Sequence, residues 1–251
     1  MRILLIGYGK MGRAIEQVAT QRGHQVVQKI TVANSADLAT IDPTTVDVAI
    51  EFSQPSAAYD NIRQCLAQNI PVIAGTTGWL EHKAALDAYC QAQQGTFFYA
   101  ANFSIGVNIF FGVNAFLAQQ MAQRPEYEVM IEEVHAVTKK DTPSGTALAL
   151  AQDILQNLSH KQGWTLTPGQ PTNALGIAAQ RVPEALPAHT ITYTSPLDTL
   201  EIKHTAHSRE GFALGTVLVA EWLPGRQGVL GMDDFLQGGA GHRSTVHPAA
   251  T

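Results

Sequence analysis

In the first hundred residues, short unbroken apolar runs alternate with stretches whose apolar positions recur every three or four residues. Ile3-Leu4-Leu5-Ile6 is the first such run, closed by Gly7. A run of that length bounded by a turn residue predicts a strand buried on both faces, here over 2–6. A helix is predicted over 11–22, with Gly23 placed to cap its end. Strands are predicted over 25–30, 46–52, 71–74 and 96–100, the last holding Phe97-Phe98-Tyr99, with helices near 56–68 and 81–94 between them. Buried strands alternating with helices predict a parallel sheet covered on both sides. Residues 31–45, rich in Asn, Asp, Thr and Pro, carry no clear helical period.

The pattern changes after about residue 102. Val107, Phe110, Phe111, Phe116 and Leu117 predict a mostly buried helix over 105–121, and Asn108, Asn114, Gln119 and Gln120 break it as a membrane span. A strand over 127–134, a polar turn over 137–144 and a helix over 145–158 follow. Strands are then expected over 176–182, 189–195 and 199–206, and a helix over 211–222. The expected fold class is α/β: an N-terminal Rossmann-type nucleotide-binding domain plus an α+β substrate and oligomerisation domain with a mixed sheet. That sheet is expected to cover one helix face and leave the other for self-association. Residues 237–251, rich in Gly, Ala, Ser and Thr, are expected to form a disordered tail.

Composition then excludes several classes. The 251 residues are 45% hydrophobic, enough for a substantial core, and only 15% charged. Sixteen basic against 21 acidic residues leave a net charge of −5, which speaks against binding a nucleic-acid backbone. Two cysteines, Cys65 and Cys90, make neither a disulfide framework nor a four-thiolate zinc site and are expected to pack within helices. The apolar run at 3–6 is too short for a signal-peptide core. A cytoplasmic protein is expected, with no membrane and no metal.

Gly7-Tyr8-Gly9-Lys10-Met11-Gly12 is a GxGxxG that follows a strand and opens a helix. The first glycine allows a tight turn, the second admits a pyrophosphate, and the third lets helix and strand pack closely. Dinucleotide binding is expected on that ground. The acidic residue that would hold the adenosine ribose about 20 positions on is missing, and the second strand ends Gln28-Lys29-Ile30. Lys29 suits a 2′-phosphate, which favours NADPH or use of both NADPH and NADH; the alternative is that it merely faces solvent.

The segment from Glu132 to Ala147 is the richest in chemistry. A strand ends at His135, a loop carries Lys139 and Lys140, and Pro143-Ser144-Gly145-Thr146 opens a helix. Ser144, Gly145 and Thr146 would direct backbone N–H groups, hydroxyls and the positive helix end at one place, a seat for a carboxylate. His135 supplies proton exchange near neutrality and Lys139 a fixed positive charge. The chemistry suits an anionic substrate of the carboxylic acid type.

Four motifs occur together and in order: the glycine loop; Gly75-Thr76-Thr77-Gly78; Asn102-Phe103-Ser104-Ile105-Gly106-Val107-Asn108; and the His135-to-Ala147 segment. With Ser208-Arg209-x2-Phe212-Ala213, this sequence resembles the 4-hydroxy-tetrahydrodipicolinate reductase (dihydrodipicolinate reductase) family over about residues 1–236. The resemblance implies reduction of a cyclic imine dicarboxylate with NADPH or NADH in lysine and diaminopimelate biosynthesis. It implies that His135 and Lys139 are the catalytic pair and that Ser144, Gly145 and Thr146 bind the substrate carboxylate. Gly7, Gly9, Lys10, Met11 and Gly12 would hold the pyrophosphate. Gly75, Thr76 and Thr77, with Ala100, Asn102 and Phe103, would line the nicotinamide end. It further implies a discontinuous nucleotide domain (1–102 completed by 209–236), a substrate domain over 103–208, and a homotetramer built through the substrate-domain sheet.

Two departures stand out. A second histidine common in the family directly after the catalytic one is Ala136 here, and Phe52-Ser53-Gln54-Pro55 lacks an arginine often found after the third strand. His189 and His204 are candidates for the substrate pocket or for half-exposed surface positions, and a metal bound by His204 and His207 is not expected. Arg209 could meet an anion or tie the two domains together. The rival functions are another two-domain NAD(P)-dependent dehydrogenase and a non-enzymatic NAD(P)-sensing protein. The dehydrogenase has no need of His-x3-Lys followed by Pro-Ser-Gly-Thr. The sensing protein would be expected to carry a DNA-reading module with a basic face, which neither charge nor pattern offers.

Overall fold

The aliphatic runs of the N-terminal half become strands whose side chains enter two cores in alternation. In the computed structural model, which describes residues 1–166, 173–208 and 210–237, β1 (Arg2–Ile6) sends Ile3 and Leu5 to one core and Leu4 and Ile6 to another. A period of two on a strand apolar at every position gives this result. The order continues α1 (Lys10–Gln21), β2 (Gln25–Ile30), β3 (Val48–Glu51), α2 (Pro55–Ala67), β4 (Val72–Ala74), α3 (Lys83–Ala92) and β5 (Thr96–Tyr99). The aperiodic 31–45 segment holds two 3₁₀ segments, Val32–Thr40 and Pro43–Thr45. Cys65 and Cys90 are free and buried in α2 and α3.

α4 (Ile105–Met121), β6 (Glu128–Ala136), α5 (Gly145–Asn157), β7 (Trp164–Thr165), β8 (Leu175–Val182), β9 (Ala188–Thr194) and β10 (Thr199–Thr205) come next. The chain then forms α6 (Glu210–Trp222), β11 (Gly228–Leu230) and α7 (Met232–Leu236). One compact unit comprises Met1–Ile105 and the described residues from Glu210 onward; the other comprises the described residues between Gly106 and Arg209. The first holds a six-stranded all-parallel sheet of order β11-β5-β4-β3-β1-β2. The second holds a five-stranded mixed sheet of order β10-β9-β6-β8-β7. The Rossmann-like α/β plan with a second, mixed sheet is as expected from sequence. Arg209 and the expected tail over 238–251 lie outside the described residues.

In the second unit α4 and α5 share one core with a single sheet face, built from Phe110, Ala118, Leu150, Ile154, Ile131, Ile177, Ile191 and Tyr193 among others. Buried Asn114 of α4 donates to the Leu150 carbonyl of α5 at 3.1 Å. The expectation of a mostly buried α4 needs correction. Val107, Phe110, Asn114 and Ala118 are buried, whereas Ile109, Val113 and Phe116 are 52%, 43% and 63% exposed. A helix apolar all round can bury only the arc that a single sheet face covers.

Candidate functional site

In the first unit, the sheet reverses its winding between β1 and β3, and ligands bind such sheets outside the strand carboxyl ends at that point. The glycine loop sits there, and its glycines answer different demands. Gly7 has φ +91°, and a Cβ on it would lie 2.0 Å from the Phe52 carbonyl oxygen. A Cβ on Gly12 would lie 2.3 Å from the Gly7 oxygen, so helix and strand touch through bare backbone. Gly9, the N-cap of α1, has nothing within 4 Å of a built Cβ, and neither a side-chain cap nor an acid occupies the first turn. The open backbone and uncapped N–H groups of the first turn therefore fit a pyrophosphate. Lys10 is exposed and Met11 half-buried beside it.

Lys29, on β2, is neither free nor simply solvated. Its Nζ pairs with Glu16 of α1 at 2.6 Å, lies 3.3 Å from the Tyr8 hydroxyl and sits 4.4 Å over the Tyr8 ring. The other predicted nucleotide-side residues gather at the ends of β3, β4 and β5. Gly75 N–H donates to the Glu51 carbonyl, and a Cβ there would strike the Phe52 ring at 2.2 Å. The buried Thr76 hydroxyl accepts the Ser53 N–H at 2.9 Å, whereas Thr77 is exposed. Ala100 N–H donates to the Ala74 carbonyl, and Asn102 Oδ1 accepts the Ser104 N–H. Phe103 is buried with its ring 5.6 Å from Phe52, and a Cβ on Gly215 of α6 would lie 1.8 Å from its carbonyl oxygen. Beneath this ridge Glu51 is fully buried; burial pushes its carboxyl up, against hydrogen bonds from Ser53 and Thr76.

In the second unit, strand alternation turns a core face into a polar site. Along β6 the buried residues run Val129, Ile131, Glu133, His135. Register sets Glu133 opposite His189 of β9, His189 opposite His204 of β10, and His135 opposite Arg181 of β8. Glu133 is completely buried, and both its oxygens are engaged. Oε1 accepts Arg181 at 2.9 Å and Oε2 accepts the Ser144 N–H at 3.0 Å. His135 Nε2 lies 3.4 Å from His189 Nε2, with Glu133 Oε2 3.5 Å and 3.7 Å from the two nitrogens. The His189 nitrogen also meets the Ser144 hydroxyl at 3.1 Å. Arg181 further donates to the Asp141 carbonyl and the Thr142 hydroxyl, bracing the 137–144 loop.

Ser144 is the N-cap of α5, its Oγ accepting the Ala147 N–H. Gly145 is exposed with open space around it and Thr146 is half-buried, between the buried Ser144 and Ala147. Lys139 is partly exposed and holds Asp141 through both carboxylate oxygens at 2.8 Å. Burial pushes the His135 imidazole down to about 4, helped by His189, Lys139 and Arg181 and opposed by Glu133. Burial alone would raise Glu133, but His189, Ser144 and Arg181 outweigh it and hold the carboxyl well below the usual range.

Sequence reading brought His135, Lys139 and the Ser144 loop together but passed over Glu133 and Arg181. Of the two readings of His189, pocket residue or half-exposed surface position, the second fails: it is 5% exposed and its ring stands against His135. The available signal was the period-two spacing of Glu133 and His135, which places a carboxylate and an imidazole on one inward face. Glu133, His135 and His189 also offer donors within 4.8 Å of one another, of types that ligate metals. Each Glu133 oxygen already accepts a hydrogen bond, one of them from a guanidinium at 2.9 Å.

Residues 1–103 match the family model for the dihydrodipicolinate reductase N-terminus, and residues 106–236 match that for its C-terminus. A 4-hydroxy-tetrahydrodipicolinate reductase of Christiangramia forsetii is 44% identical over 236 residues, covering 94% of this chain and 98% of its own. A Neisseria meningitidis protein of the same name is 32% identical over 230 residues, covering 88% and 83%. Among solved structures, a dipicolinate-bound dihydrodipicolinate reductase from Paenisporosarcina sp. TG-14 has a TM-score of 0.74 at 20% identity, covering 92% of this chain and 97% of its own. That likeness is one of fold.

Proposed function

The chain belongs to the dihydrodipicolinate reductase family, and from that premise we propose that it reduces 4-hydroxy-tetrahydrodipicolinate to tetrahydrodipicolinate in lysine and diaminopimelate biosynthesis. The observation that carries this reading is the inward-facing His135 beside the Ser144-Gly145-Thr146 helix start: a proton donor next to a carboxylate seat. The substrate's hydroxyl first leaves as water, breaking its C–O bond, and a nicotinamide nucleotide, when bound, would supply hydride to the ring carbon conjugated to the imine. Gly7, Gly9, Lys10, Met11 and Gly12 would hold its pyrophosphate, and Gly75, Thr76, Thr77, Ala100, Asn102 and Phe103 would line its nicotinamide end. Residues 1–102 with 209–236 are the nucleotide domain, and 103–208 the substrate domain.

Hydride addition leaves negative charge on the ring, which a proton must discharge. His135 gives that proton; its N–H bond breaks, a C–H bond forms and the electron pair stays on the imidazole. In the free chain this imidazole is neutral at pH 7, since its pKa is pushed down to about 4. A dicarboxylate bound at Gly145 and Thr146 brings negative charge that favours the protonated ring, so the donor is charged as its substrate arrives. Lys139 holds a carboxylate or the developing charge by exchanging its Asp141 partner. Either NADPH or NADH serves; reading a 2′-phosphate would require Lys29 to leave Glu16. The working form is a homotetramer in the cytoplasm, a placement that the two unpaired buried thiols favour.

The test is an assay with freshly generated substrate and both nucleotides, comparing the unaltered chain with His135→Gln. Turnover by the unaltered chain and a loss of roughly 100-fold or more in the variant are expected. A loss below about threefold would remove His135 from the proton transfer.

A further inference from the structure

His135 is held by a group that its own loop does not supply. Its Nε2 faces two groups able to accept a proton, His189 Nε2 at 3.4 Å in the tautomer that leaves that nitrogen bare and Glu133 Oε2 at 3.5 Å. Both come from neighbouring positions of one sheet face, and His189 is itself fixed by the Ser144 hydroxyl at 3.1 Å. The two imidazoles stand edge to face with ring centres 5.1 Å apart, and both are buried. We propose that His189, seated against Glu133, is a positioning residue that shares a proton with His135 Nε2 and so sets the orientation and the proton occupancy of the donor. This rests on the reading of His135 as the proton donor.

The chemistry follows from what an imidazolium needs. When His135 carries two protons, the one on Nε2 must be given to an acceptor, and His189 Nε2 and Glu133 Oε2 are the acceptors within reach. After the other N–H bond breaks and a C–H bond forms on the substrate, the neutral ring keeps its Nε2 proton on His189. No atom is left over, and the pair is ready to take one proton from solvent. The charged and titratable groups around the pair are Glu133 on β6, Arg181 on β8, Lys139 with Asp141 in the loop, and His204 across from His189 on β10. α4 has no titratable side chain, and the one acid of α5, Asp153, lies beside Asn114. His189 thus acts on His135 in two opposing ways: as an acceptor it orients the ring, and as a second site for positive charge it makes the ring harder to charge.

His189→Gln keeps a hydrogen-bonding group at the position and removes the titration. The variant should lower kcat about tenfold with KM within about threefold, while the alkaline limb of the kcat profile moves to higher pH. A merely structural role would lower kcat and leave that limb in place. An independent reading uses the unaltered full-length chain with labelled histidines. The His189 resonance should carry an inflection at the His135 midpoint, and that midpoint should rise by about half a unit or more in His189→Gln. Independent titration of the two imidazoles, or an unshifted limb with unchanged kcat, overturns the inference. If the unaltered chain reduces no substrate with either nucleotide while the imidazoles still titrate together, the proposed reaction falls and the coupling stands.

Discussion

Glu133 ties Arg181 of β8 to the start of α5 through its two oxygens, and part of the second unit's stability rests on it. Because the folded carboxyl is held well below its ordinary value near 4.5, its contribution is complete above that pH and is lost as pH falls toward the folded value. Glu133→Gln should therefore cost about 2 kcal/mol at pH 7, the range for losing a charged partner of buried donors. The gap should narrow below pH 4.5. Denaturant unfolding of the two proteins at pH 7 and pH 4 measures it, and an equal gap at both would show that the charge is not what matters. This residue was not legible in the sequence because its partners come from distant strands. Arg181 and His189 reach it only through the register of β6 with β8 and β9, and no local spacing encodes that register.

At the scale of elements, the glycine loop separates folding from binding within six residues. Gly7→Ala and Gly12→Ala place a methyl 2.0 Å and 2.3 Å from backbone oxygens and should lower the thermal midpoint markedly. Gly9→Ala meets no neighbour, so its folding should stay within about 0.5 kcal/mol of the unaltered chain. It should nevertheless weaken nucleotide binding at least about tenfold, since the methyl occupies the approach to the pyrophosphate. Calorimetric titration alongside thermal melts distinguishes the two effects; normal affinity in Gly9→Ala would remove the loop from the binding site. The loop was legible because strand, glycines and helix are contiguous. The long periodic helices and apolar strands were legible too. β7, β11 and α7, of two, three and five residues, are too short to establish a period and are held by pairing or packing with distant segments.

For the whole molecule, the exposed stripe Ile109, Val113 and Phe116 on α4 is apolar surface that a monomer would leave in water. Light scattering should give a mass near four times the 27.0 kDa chain, and Phe116→Asp should lower it. A monomeric unaltered chain would remove the tetramer, and an unchanged mass in Phe116→Asp would place the interface elsewhere. The sequence told that α4 was apolar all round but not which arc the sheet would cover.

β6 has a further consequence, for how the protein fails. One face of that strand carries Val129 and Ile131 into the core and then Glu133 and His135 into the site. A slip of one residue would turn the aliphatic pair and the reactive pair outward together. A slip of that kind therefore disrupts the core and the Glu133–His135 pair together. Molecules slipped in this way should be inactive and sticky at once, so recovered catalysis reports on the register of β6.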